Sequence, residues 1–115
     1  MRIFLVGFMG AGKSVVGRRL AKSFNLSFYD LDEEIESHYK MSVSAIFQKY
    51  DEACFRKLET SVLESFSNKD NFVLSCGGGT PCFSENMAFM NSIGTTIYIK
   101  LPADELLERI SNSYH

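Results

Sequence analysis

The residues Gly7-Phe8-Met9-Gly10-Ala11-Gly12-Lys13-Ser14 match G-x-x-x-x-G-K-[ST] at every fixed position. Such a segment can cradle phosphate. Its glycines let the backbone curl until successive N–H groups point inward, at the positive end of the helix that follows. Lys13 would then reach the β- and γ-phosphates, and the Ser14 hydroxyl would ligate Mg²⁺. The plainer alternative is a glycine turn that merely joins a strand to a helix. The flanks argue against it: Arg2 to Val6 is an apolar run long enough for a buried strand. On the other side Val16, Leu20 and Phe24 fall four apart with Val15 beside them, a helical period. Binding of a nucleoside triphosphate is the first conclusion.

A P-loop enzyme usually holds Mg²⁺ with the loop hydroxyl plus an Asp at the end of a neighbouring strand. Phe72 to Cys76 reads as a third strand but supplies no acid where it ends, whereas the second does, through Asp30 and Asp32. Carboxylates at a strand's carboxyl end lie where ligands bind in open α/β sheets. One of the two can serve the metal; the other can orient an attacking hydroxyl or accept its proton. The alternative is an acidic helix start, since Asp32, Glu33 and Glu34 also favour a helix N-terminus. Gly77-Gly78-Gly79 follows the third strand, and three glycines weaken any regular element, which suggests close approach of backbone to something. A flexible strand exit is the competing account. Arg56 lies inside a long helical pattern beside Phe55 and three residues before Glu59. Its planar fork suits a small carboxylate, and pairing with Glu59 on the helix surface is the bland reading.

The elements that must position these groups alternate in the βαβα manner that predicts a parallel sheet flanked by helices. After the first strand and its helix come a short strand over Leu26–Tyr29 and a short helix over Glu33–Tyr39. Ser42 and Ser44 are both candidate N-caps for a helix over Ala45–Tyr50. Asp51 to Ser67 is the longest helical pattern, with Phe55, Leu58, Val62 and Phe66 on one face. Ser84 caps a further helix that Gly94 stops, and Thr95 to Leu101 is a fourth strand. The second, third and fourth strands are expected to surround the first. Pro102 opens a last helix with Leu106, Leu107 and Ile110 inward.

A chain of 115 residues with 45% apolar content and a net charge of −2 is one globular domain or part of one, with no electrostatic case for nucleic acid. No apolar run approaches the ~20 residues of a membrane helix. Cys54, Cys76 and Cys82 are odd in number and lack C-x-x-C spacing, so reduced thiols in a cytoplasmic protein are expected, without a zinc site. Cys76, at the end of an apolar strand, reads as a small core residue rather than a nucleophile.

Taken together, Gly7 to Ser14, Asp30-x-Asp32, Phe55-Arg56-x-x-Glu59 and the glycines at 77–79 resemble the shikimate kinase family in order and separation. The resemblance runs over the whole chain. It implies a P-loop kinase fold and transfer of the ATP γ-phosphate to the 3-hydroxyl of shikimate, in aromatic amino-acid biosynthesis. By position, Gly10, Ala11, Gly12, Lys13, Ser14 and Val15 would bind ATP, with Arg109 near adenine or simply a helix-end charge. Lys13 and Asp32 would be the catalytic pair, and Ser14 with Asp30 would hold Mg²⁺. Asp32, Arg56 and Gly77, Gly78 and Gly79 would bind shikimate, Asp32 at the ring hydroxyls and Arg56 at the carboxylate. A monomer with no nucleic-acid or membrane partner is expected. Family members continue through a lid carrying an arginine, a fifth strand and further helices. Residues 1–115 are therefore expected to form a single P-loop kinase domain that is incomplete at its C-terminal end. The rival readings are another small-molecule P-loop kinase, acting on gluconate or a nucleoside monophosphate, and a non-catalytic nucleotide- or shikimate-binding fragment.

Overall fold

The computed structural model describes residues 1–7, 13–77, 79–83 and 85–99, the Lys13 side chain excepted. Four strands run parallel in the order β2-β3-β1-β4: β1 Arg2–Gly7, β2 Ser27–Asp30, β3 Phe72–Ser75 and β4 Thr95–Ile99. β1 and β3 are the inner strands, and almost every residue in them is buried, as continuous apolar runs in a parallel sheet require. The expectation that the other three strands surround β1 needs correcting. Its direct neighbours are β3 and β4, and β2 pairs with β3 instead. The polar β2, Ser-Phe-Tyr-Asp, takes the outer place, where partial exposure is tolerated.

Successive side chains of β1 go to opposite faces of the sheet. Phe4 and Val6 join Leu31, Ile35, Phe55, Phe66 and Phe72 in one core; Ile3 and Leu5 join Val16, Ala21 and Val73 in the other. Phe72 anchors the first core through edge-on contacts with Phe4 and Phe66, at 5.5 and 5.2 Å between ring centroids.

α1 (Lys13–Phe24) covers the second core. Val16 and Ala21 are buried, but Val15 and Phe24, expected on the inner stripe, are 50% and 43% exposed. At about 100° per residue Val15 is turned away from Val16, and Phe24 is the helix's last residue. Gly17 completes the inner surface, because a Cβ there would collide with the Phe28 ring.

α2 (Leu31–Tyr39) starts directly at the end of β2, two residues before the expected start. Ser42, not Ser44, caps α3 (Val43–Lys49), its hydroxyl accepting from the Ala45 N–H at 3.0 Å. Asp51 does the same for α4 (Glu52–Ser65), where Phe55 and Val62 face the core as expected and Phe66 opens a closing 3₁₀ turn. α5 (Asn86–Ile93) ends at Gly94, whose N–H bonds the Met90 carbonyl at 3.0 Å. Cys76 is buried just beyond β3, the core position expected of it, and no disulfide joins Cys54, Cys76 and Cys82. Ser84, the proposed cap, and the last helix after Pro102 lie outside the described residues. Among those residues no helix is long and apolar enough to cross a membrane.

The Met1 ammonium bonds Asp70 at 3.1 Å and the Asn71 N–H bonds the same carboxylate oxygen at 2.8 Å. Chiefly the Asn71 hydrogen bond, and then the ammonium, hold the Asp70 carboxyl below its usual range.

Candidate active site at the carboxyl edge of the sheet

Parallel strands bring their carboxyl ends to one edge: Leu5 and Asp30 both pair with Ser75, and Gly7 pairs with Ile99. Functional groups leaving those ends therefore share a surface. Gly7 has φ of 105°, and a Cβ there would sit 2.7 Å from the Ile99 carbonyl oxygen. Only glycine suits such a close approach with positive φ. In the first turn of α1, Ser14 donates a hydrogen bond to Asp30 Oδ2 at 3.1 Å. The other oxygen of Asp30 accepts the Glu33 N–H at 3.2 Å, which caps α2. Capping thus orients the carboxylate that meets Ser14.

A hydroxyl and a carboxylate at this spacing are hard oxygen donors of the kind Mg²⁺ takes. No group of three or more His, Cys, Asp or Glu side chains is clustered for a metal among the described residues. Mg²⁺ takes one or two carboxylates and fills its shell with water and phosphate oxygens, so Ser14 and Asp30 are the residues that could hold it. Asp32 is exposed in the first turn of α2. Val15 is exposed on α1. Gly10, Ala11, Gly12, the Lys13 side chain, Gly78 and Arg109 lie outside the described residues.

The second half of the site is built on α4. Arg56 Nη1 donates to both oxygens of Glu59, at 3.0 and 3.3 Å, so the bland pairing is real. It does not exhaust the guanidinium. Arg56 Nε is buried with no hydrogen-bond partner, 3.7 Å from the nearer Glu52 oxygen. The Phe83 ring covers the guanidinium, its centroid 4.0 Å from Cζ. A Cβ on Gly79 would stand 2.8 Å from Nη2, so here the glycine segment packs its backbone against the arginine. A cavity of about 540 Å³ opens beside this group, lined by Glu52, Ala53, Arg56, Lys57 and Phe83. Its volume and single planar cation suit a small anionic ligand.

Gly77 marks the start of the turn that carries the segment onto α4, its carbonyl accepting the Thr80 N–H at 3.1 Å. Thr80, Asn86 and Glu59 are buried polar residues that the sequence reading did not single out as site residues. For Glu59 a signal existed: it falls one turn after Phe55 on the apolar stripe of α4, where an unpaired charge would be costly. Thr80, Asn86 and Phe83 carry no such mark.

The shikimate kinase family model matches residues 9–115. The shikimate kinase of Parabacteroides distasonis is 47% identical over 114 residues, 99% of this chain and 66% of that protein. That of Aquifex aeolicus is 49% identical over 113 residues, 98% of this chain and 67% of the relative. The chain thus spans about two thirds of the length of the curated relatives it matches. The crystal structure of the Aquifex aeolicus shikimate kinase superposes with a TM-score of 0.83, covering 94% of this chain and 64% of that one. The Acinetobacter baumannii shikimate kinase, solved in complex with shikimate, is 39% identical at a TM-score of 0.83, over 94% of this chain and 60% of the other. A parallel sheet with a P-loop helix, an arginine-lined cavity at the same edge and this likeness along nearly all its length agree: the chain belongs to the shikimate kinase family.

Proposed function

We propose that this chain carries the nucleotide and acceptor sites of an ATP-dependent kinase that phosphorylates the 3-hydroxyl of shikimate, in the cytoplasmic synthesis of aromatic amino acids. One observation supports the reading above others. The Ser14–Asp30 pair and the Arg56–Gly79 cavity rise from the same edge of one parallel sheet, so a phosphate site and a carboxylate site can face a common acceptor.

In this reading Gly10 to Val15 wrap the ATP phosphates, Lys13 neutralises the charge that develops on the transferred group, and Arg109 lies by adenine. Ser14 and Asp30 would hold Mg²⁺, which would supply charge neutralisation at the phosphates. Asp32 binds the ring hydroxyls and accepts the proton of the attacking one. Arg56 takes the carboxylate, and Gly77, Gly78 and Gly79 bring backbone N–H groups close to the ring. Catalysis is then mostly positioning plus charge stabilisation. The protein acts as a monomer.

The test is a coupled assay on the full chain with ATP and Mg²⁺, offering shikimate, gluconate and AMP as competing acceptors. Turnover with shikimate alone is the expected result. Preference for gluconate or AMP would overturn the proposal.

A further inference from the structure

After Gly79 the chain turns through a short 3₁₀ helix, Thr80–Cys82, and side chains tie this turn to the helices on either side. The Thr80 hydroxyl donates to Glu59 Oε2 at 2.9 Å, and Asn86 Nδ2 donates to the Thr80 carbonyl at 2.9 Å. Asn86 Oδ1 in turn accepts the Thr60 hydroxyl at 3.0 Å. Glu59, Thr80 and Asn86 are each exposed by 1% or less. The chain of bonds leaves α4 at Glu59, crosses the segment after β3, reaches the first residue of α5 and returns to α4 at Thr60.

Apolar residues of similar volume would stabilise such a position at least as well as buried polar ones. What the polar set adds is direction. Both Glu59 oxygens face Arg56 Nη1, and the carboxylate's terminal torsion is broad unless something holds it. Thr80 is what holds it, through Oε2. With Nη1 occupied, the Nε–Nη2 edge remains; Nε has no hydrogen-bond partner, the Glu52 carboxylate standing 3.7 Å away as an ion pair. Asn86 fixes the carbonyl of the residue next to Gly79, whose backbone underlies Nη2.

We propose that Thr80 and Asn86 are positioning residues: through Glu59 and the Gly79 backbone they aim the Nε–Nη2 edge of Arg56 at the carboxylate of the acceptor. The proposal deepens the shikimate kinase reading and rests on it. It concerns acceptor affinity and leaves the nucleotide side untouched.

Calorimetric titration of the full chain with shikimate, and separately with ATP and Mg²⁺, tests it on the parent, Thr80→Val, Thr80→Ser and Asn86→Asp. Thr80→Val removes the donor to Glu59 at nearly constant volume, and Asn86→Asp removes the donor to the Thr80 carbonyl. Each is expected to weaken shikimate binding about tenfold, the scale of one lost hydrogen bond to a charged group, with ATP affinity within about twofold of the parent. Thr80→Ser, which keeps the hydroxyl, should restore shikimate binding to within about twofold. Should Thr80→Val not fold, Asn86→Asp carries the same comparison. Equal losses for both ligands, or no loss for shikimate, would overturn the positioning role alone. A parent that binds ATP but not shikimate would take down the functional reading, and this proposal with it.

Discussion

At the scale of single residues, Lys13 and Arg56 divide the work between the two substrates. Lys13 follows the last glycine of the phosphate motif, and its charge would act on the phosphoryl group in flight. Lys13→Ala should therefore abolish ATP-dependent phosphorylation of shikimate in the full chain while the circular dichroism spectrum stays that of the parent. Turnover surviving within about tenfold would refute its catalytic assignment, because charge-stabilising cations in such sites are worth ~10³–10⁵ in rate. Arg56 already spends one nitrogen on Glu59. Arg56→Lys keeps the charge but has a single nitrogen for both Glu59 and the acceptor, so shikimate binding should weaken by about 1.5–3 kcal/mol. ATP binding should hold. Calorimetry with equal losses for both ligands would instead make Arg56 a structural residue.

At the scale of elements, the two glycine turns at the sheet edge do different jobs. Gly7 ends β1 with positive φ, hard against the backbone of Ile99, and neither can give way without moving β4. Gly79 lies against the tip of a side chain, which can swing. Gly7→Ala should accordingly destabilise the fold by about 1–3 kcal/mol, the cost of a strained residue in this region. Gly79→Ala should leave the melting temperature nearly unchanged yet lower shikimate affinity, because the displaced group is the Arg56 guanidinium. Thermal melts and shikimate titrations of the two variants separate the cases; a large loss of stability in Gly79→Ala would contradict this account.

At the scale of the whole molecule, the start of β1 is tied to the segment before β3 by Met1, Asp70 and Asn71, across 69 and 70 residues of sequence. The folded Asp70 carboxyl is held below its ordinary value of 3.8. Its stabilising contribution is therefore present above that value and is lost as pH falls through the lower folded pKa. Asp70→Asn should lower stability slightly at neutral pH, where the charged carboxylate contributes, and flatten the acid limb below about pH 4, so that variant and parent converge as pH falls. Urea midpoints across that range measure it, and an unchanged acid limb would show the contact to be energetically silent.

The sequence by itself determined what short-range physics controls. The phosphate motif, the apolar run of β1, a serine cap before α3 and the inner stripe at Phe55 and Val62 all depend on neighbours within one or two turns. The parallel arrangement followed from their alternation. Strand order did not, because it depends on which strand can lose water on both faces, and β2 proved the polar one. The dual state of Arg56 was half legible: Glu59 stood three residues away, but the Phe83 ring and the Gly79 backbone reach it only through the turn after β3. The bonds from Glu59 to Thr80 and from Thr60 to Asn86 span 21 and 26 residues, and no local pattern announces them. Only packing α5 and the glycine segment onto α4 brings those side chains together, out of water, where each needs the other as its partner.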